Sequence, residues 1–196
     1  MKREDGSQDL RVRRTRQLLQ QAFLELMAQK SFQAITVQDI TSGAMVNRST
    51  FYDHFVDKYA LLEYSMNELF QEALVAQIPH ARRYSTENLQ GLIIIMCDFY
   101  SQLHGHCKAA DEQNIALFES QVMRLFQQTL RRWLQESGAD EPDPGELDLA
   151  VSIASWAIYG AAQHRGLGRH TGSVAAFAAA VVPRVEASLG LKFAPA

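Results

Sequence analysis

The sequence predicts an all-α protein, and three observations carry the prediction. Apolar residues recur three and four apart along most of the chain. Capping signatures, prolines and glycines cut it into helix-length pieces, and no stretch shows the two-residue alternation of a half-buried strand or an internal repeat. With 196 residues, 47% hydrophobic and 21% charged, the composition is that of a globular chain able to bury a core without staples. The pattern predicts a small N-terminal domain over residues 1–58, led by a basic, flexible arm, and a larger helical domain over 59–196.

The two cysteines, Cys97 and Cys107, supply no disulfide framework, and no apolar leader follows the charged start Met1-Lys2-Arg3-Glu4-Asp5. A cytoplasmic location is therefore expected. The longest uncharged apolar run, over about 172–182, is alanine-rich and falls well short of the roughly 20 residues of a membrane span, so no membrane partner is expected. The net charge of −3 hides an asymmetry: residues 1–58 hold nine Lys/Arg against seven Asp/Glu, and 59–196 hold ten against fifteen. Lys2, Arg3, Arg11, Arg13, Arg14 and Arg16 face only Glu4, Asp5 and Asp9, a balance suited to a polyanion but equally found in solvated tails.

Leu19, Ala22, Phe23, Leu26 and Met27 predict one amphipathic helix over about 10–29. Thr36-Val37-Gln38-Asp39 fits a capping box that opens a short helix running to Ser42, with Gly43 as its stop. Asn47 is placed to cap a second short helix, in which Phe51 and Phe55 share the inner face and Arg48, Ser49, Thr50 and Tyr52 stay outside. Asp57 caps a long helix with the stripe Leu62, Met66, Leu69 and Ala73, ending before Pro79. Two short helices around a tight turn, with a helix ahead, form the tri-helical module that lays its second short helix in the DNA major groove. The side chains placed to reach base edges are Arg48, Ser49 and Thr50, with Val46 and Asn47 just ahead, and Arg48 is the natural guanine reader. Tyr52, His54, Lys58 and Thr36, with the amides it caps, are candidate phosphate donors.

The segments Ile35-Thr36-Val37-Gln38-Asp39-Ile40, Ala44-Met45-Val46-Asn47-Arg48-Ser49-Thr50-Phe51-Tyr52-Asp53-His54-Phe55, Asp57-Lys58 and Leu61-Leu62 resemble the N-terminal signature of the TetR family of transcriptional regulators. The resemblance covers about residues 10–62. It implies phosphate contacts at Thr36, Tyr52, His54 and Lys58, and groove contacts among Gln38, Asn47, Arg48, Ser49 and Thr50. One departure is Met45, which stands where the family usually has glycine, so the turn must accommodate a side chain.

Other chemistry is poorly served. His104-Gly105-His106-Cys107, with Cys97, His80, His164 and His170, offers zinc or copper ligand types, but one intervening residue on a helix turns two side chains about 200° apart, and no CxxC or HxxxH accompanies them. No metal and no cofactor is expected. No nucleophile elbow, Gly-rich phosphate loop or Glu-x-x-His pair supports an enzyme.

Beyond the first domain, Ser85 or Thr86 opens an apolar helix broken near Gly105. A further helix bearing Ile115, Phe118, Val122, Leu125, Phe126 and Trp133 closes at Ser137-Gly138. Asp143-Pro144-Gly145-Glu146 opens another helix to about Gln163, and Ser173 starts the last, which Pro183 should kink. Met96, Phe99, Tyr100 and Leu103 are candidate effector-pocket residues, together with Phe118, Val122, Phe126 and Trp156; ordinary core packing accounts for them equally well. Ile153, Ala157, Gly160 and Ala161, with Phe177, Val181 and Val185, are the candidate dimer interface, because two helices apolar on several sides need a partner copy. The resemblance implies a dimeric, ligand-responsive repressor on a palindromic operator, with a small apolar or amphipathic effector. The alternative is a DNA-binding coactivator or co-repressor that acts through a protein partner without a ligand.

Overall fold

The computed structural model describes residues 4–79, 81–106, 112–137, 143–170 and 172–189; His80, Cys107 and Gly138 lie outside them, as do the side chains of Leu103, His104 and His106. Among the described residues eight α-helices form and no strand: α1 (Glu4–Met27), α2 (Val37–Gly43), α3 (Arg48–His54), α4 (Lys58–Gln77), α5 (Thr86–His106), α6 (Glu112–Glu136), α7 (Pro144–His164) and α8 (Val174–Ser188). The chain divides into two compact units, the first comprising the residues to Glu68 and the start of α6 through Ile115, the second the remainder, so that α4 and α6 contribute to both.

In the first unit, α1 packs on α2 and α3, which pack on each other. The stripe on α1 buries Leu19, Ala22 and Phe23 against Phe32, Ile35, Ile40, Phe51, Phe55, Leu61 and Leu62. Phe32 sits edge-on to Phe23 and Tyr59, with centroids 6.1 and 5.1 Å apart, a geometry that sets the ring edge against the face of its neighbour. Phe51 is wholly buried, so truncating it to alanine removes about 3–5 kcal/mol. The close approach of α1 and α2 depends on Gly43, where a Cβ would stand 3.2 Å from Cβ of Ala22.

Within the second unit, α5 packs on both α7 and α8, which also pack together. The end of α6 is pinned through Trp133: its Nε1 donates to the Ala81 carbonyl at 3.2 Å, and its own carbonyl accepts from the Tyr84 amide at 3.2 Å. The Tyr84 and Thr86 hydroxyls both donate to Oε1 of Glu186, at 3.1 and 2.8 Å, joining the start of α5 to the end of α8. Burial, reinforced by Glu186, raises the Tyr84 phenol far above its usual range.

α1 begins at Glu4 rather than near residue 10, whereas α5 ends at His106, beside Gly105, as expected. Ser85 is the N-cap of α5, accepting from the Asn88 amide, and Ser173 caps α8 through the Ala176 amide, both as expected. α8 runs unbroken through Pro183.

Two groups of expected residues sit differently from the reading. Met96, Tyr100, Phe118, Val122 and Phe126 are buried and Phe99 is half-buried, but Trp156 is 58% exposed on the outer side of α7, so it lines no interior. Of the expected interface residues, Ile153, Ala157 and Gly160 are exposed and Ala161 is half-buried, whereas Phe177, Val181 and Val185 are buried within the unit. The outward face of α8 carries instead Ala176, Ala180, Pro183 and Ala187, at the spacing of one helical row. A matching row on α7 exposes Leu149, Ile153, Trp156 and Gly160.

Candidate nucleic-acid interface

Local chemistry fixes the start of α2. Thr36 is extended (φ −106°, ψ 158°), and its Oγ1 accepts from the Asp39 amide at 3.1 Å. Asp39 Oδ2 returns two acceptances, from the Thr36 amide at 2.8 Å and the Thr36 hydroxyl at 2.7 Å, and pairs with Lys30 at 2.8 Å. Lys30 first, and then Thr36, hold the Asp39 carboxyl well below the usual carboxylate range. The Thr36 hydroxyl is thus engaged as donor and as acceptor inside the capping box.

The turn follows through backbone bonds from Ala44 to Ile40, Met45 to Ser42 and Val46 to Thr41, at 2.9, 3.2 and 3.0 Å. Gly43 is the last residue of α2, which thus runs one residue beyond Ser42. The left-handed residue is Met45 (φ 53°), which is also 90% exposed. Met45 therefore occupies a conformation that glycine adopts without steric cost.

On α3, Phe51 and Phe55 turn inward with ring centroids 5.9 Å apart, and the Phe55 amide closes the helix on the Phe51 carbonyl at 2.9 Å. Asn47 stands at the N-cap position, but its side chain makes no capping bond, contrary to expectation; the ladder starts from its backbone carbonyl, which accepts from Phe51. That leaves its amide group outside with Arg48, Ser49 and Tyr52, all exposed, while Val46, Thr50 and His54 are half-buried. Arg48 Nη2 donates to the Tyr52 hydroxyl at 3.2 Å, and the guanidinium lies 5.6 Å from the ring centroid. On α2, Gln38 is exposed one turn ahead of Ser42, to whose Oγ its Nε2 donates at 3.3 Å.

His54 and Lys58 are less free than their outer neighbours. Burial, and then the charge of Arg16, lower the His54 pKa below 6.5, which favours neutral imidazole near pH 7. Lys58 Nζ donates to the carbonyls of Phe32, Gln33 and Ile35 at 2.9, 3.1 and 2.9 Å, and stands 4.7 Å from the Phe32 ring centroid. In the sequence Arg16 belongs to the basic N-terminus. It stacks instead over Phe55 and Tyr64, 5.9 and 5.7 Å from their centroids, and its buried Nε makes no hydrogen bond. Its place three residues ahead of Leu19 and seven ahead of Phe23 puts it on the inner stripe, the signal that could have singled it out.

An extended cap, a short helix, a tight turn and a second short helix with an apolar inner face and a polar outer face define a helix-turn-helix DNA-binding domain. Residues 19–64 match the family model for the bacterial regulatory proteins of the TetR family. Over 100 residues the chain is 34% identical to an uncharacterised HTH-type transcriptional regulator, YxbF, of Bacillus subtilis (strain 168). That match takes in 48% of this chain and 26% of the relative, so the chain spans only about a quarter of the length of this curated relative. Two solved structures share the fold along most of the chain. The dihydroxyacetone kinase operon activator DhaS has a TM-score of 0.53 at 18% identity, over 90% of this chain and 96% of its own. A TetR-family transcriptional regulator from Rhodococcus sp. has a TM-score of 0.52 at 14% identity, over 89% and 98%. Residues 19–64 therefore form a TetR-type helix-turn-helix domain, and the chain is similar to HTH-type transcriptional regulators.

Proposed function

We propose that the protein is a sequence-specific repressor that binds a palindromic operator as a dimer and releases it when a small apolar or amphipathic effector occupies the second unit. The observation that carries this reading is the outer face of α3, where Arg48 and Asn47 stand free of the core with donors suited to base edges, and Ser49, Thr50 and Tyr52 accompany them. Gln38 and Val46 complete the groove face, and His54 is a neutral donor at its margin.

The rows Leu149–Ile153–Trp156–Gly160 on α7 and Ala176–Ala180–Pro183–Ala187 on α8 support dimerisation. Large apolar residues left in water beside a smooth small-residue face suit a two-fold, self-complementary contact. Two copies then present two reading helices at a set spacing, which is why the operator should be an inverted repeat. An effector among α5, α6 and α7, near Phe99 and Tyr100, would act by binding one spacing better than the other.

Light scattering tests the assembly. A mass of twice the 22.0 kDa chain is expected at micromolar concentration, with Ile153→Glu returning the single-chain mass while keeping its helical circular dichroism. A single-chain mass for the unsubstituted protein overturns the dimer and the palindrome together.

A further inference from the structure

Family resemblance gives Lys58 to the DNA backbone, yet the structure already uses every hydrogen its ammonium has. A lysine carries three N–H donors and no acceptor, and three carbonyls receive them, those of Phe32, Gln33 and Ile35, all within 3.1 Å. The Phe32 ring adds a fourth attraction at 4.7 Å, and Phe32 is itself wholly buried. Swinging out to a phosphate would break three charge-assisted hydrogen bonds to make one. Burial also holds the Lys58 ammonium below the usual lysine range.

The acceptors matter as much as the donor. Residues 32–35 are the chain that leads into α2, and Lys58 is the first residue of α4, three beyond Phe55, where the chain leaves α3. The chain entering the helix-turn-helix and the chain leaving it therefore meet at one nitrogen. We propose that Lys58 is a positioning residue of the DNA interface, a brace that ties both ends of the α2–α3 pair together and so sets the presentation of the reading helix, and that it contacts no phosphate. This rests on the reading of α3 as the DNA-binding element.

Lysine and arginine part ways here. Arginine keeps the charge and reaches phosphate well, but its planar fork cannot place three donors on carbonyls that surround a single atom. Lys58→Arg and Lys58→Met in the full chain, both checked by circular dichroism to be folded at the assay temperature, are titrated against a short duplex that the unsubstituted protein selects from a random pool, at several salt concentrations. The brace predicts that Lys58→Arg binds about tenfold more weakly or worse despite its charge. It also predicts that Lys58→Met keeps the salt slope of the unsubstituted protein, and that amides over 32–36 exchange faster in both variants without DNA.

Binding unchanged in Lys58→Arg, with a salt slope smaller by about 0.9 in Lys58→Met, overturns the proposal, since that is the signature of one lost phosphate contact. A measurement without substitution guards against misfolded variants: the Lys58 ammonium nitrogen resonance should be unmoved by the duplex, and coupling to a phosphorus would equally overturn the brace. Failure of the unsubstituted protein to select any duplex would count against the DNA-binding reading and this role together. It is told apart from failure of the brace alone because amide exchange needs no DNA.

Discussion

Arg48 lies across Tyr52, one turn further along α3, with its guanidinium carbon 5.6 Å from the ring centroid and Nη2 donating to the phenol oxygen at 3.2 Å. Both side chains are exposed, so the contact arises from their four-residue spacing on one helix face and not from surrounding core. A long side chain already held over a ring loses less freedom on reaching a base edge. Arg48→Ala is therefore expected to cost about 1–3 kcal/mol of discrimination at one base pair and little at the others. Tyr52→Leu should weaken that same preference in part, while Tyr52→Phe, which keeps the ring, should retain it. Competition titrations against single-base variants of the selected duplex read all three; equal losses on every duplex would remove Arg48 from the role of reader.

Met45 holds a left-handed backbone at φ 53° with its side chain 90% exposed, so it gains almost no burial in return for the strain. Met45→Gly is expected to stabilise the first unit by about 1 kcal/mol, the usual cost of that conformation for a residue with a Cβ. Met45→Val should destabilise it, since a β-branched side chain tolerates positive φ least. Thermal denaturation of the DNA-free chain gives both values.

Gly43 sets the distance between α1 and α2. A methyl there would face Cβ of Ala22 at 3.2 Å, and neither methyl can rotate away, so the helices must separate. Gly43→Ala should cost about 1–3 kcal/mol, in the range of overpacked cores. Adding Ala22→Gly should recover part of that loss, an outcome that urea titration of the single and double variants would show as non-additivity.

His54 gives the fold a pH dependence of known sign. Its folded pKa lies below 6.5 because burial and Arg16 oppose the charged ring, so the unfolded chain binds more protons in the interval between the two values. Stability is present above about pH 6.5 and is lost as the pH falls towards the depressed folded value. His54→Gln should flatten this slope. Melting curves of both chains between about pH 7.5 and pH 5 make the comparison, and identical slopes would place the ring in ordinary solvent.

Features encoded within four or five residues could be read directly from the chain. The Thr36–Asp39 capping box, the Asp57 cap, whose Oδ1 accepts from the Tyr59 and Ala60 amides, and the inward pair Phe51 and Phe55 all depend on local spacing alone. What escaped depends on residues brought from elsewhere. The partners of Lys58 lie 23 to 26 residues back along the chain, so no local signal reveals the three carbonyls that its ammonium meets. Asn47 has the composition of a cap without making the bond, because any asparagine before a helix looks alike until its side chain is placed. On α8 the exposed alanines fit water or a partner equally well, and the valines, which point inward, carry the stronger apolar signal. Met45, which the sequence shows in a glycine's place, does hold the left-handed backbone, whereas the contact of Gly43 with Ala22 on α1 has no local signal.

The most direct test of DNA reading by a paired α3 is selection of duplexes from a random pool by the intact, unsubstituted chain, followed by sequencing of what it retains. Enrichment of an inverted repeat with two equivalent half-sites about one helical turn apart, or a multiple of that spacing, is expected. Retention of unrelated sequences, or of one unpaired half-site, would contradict it.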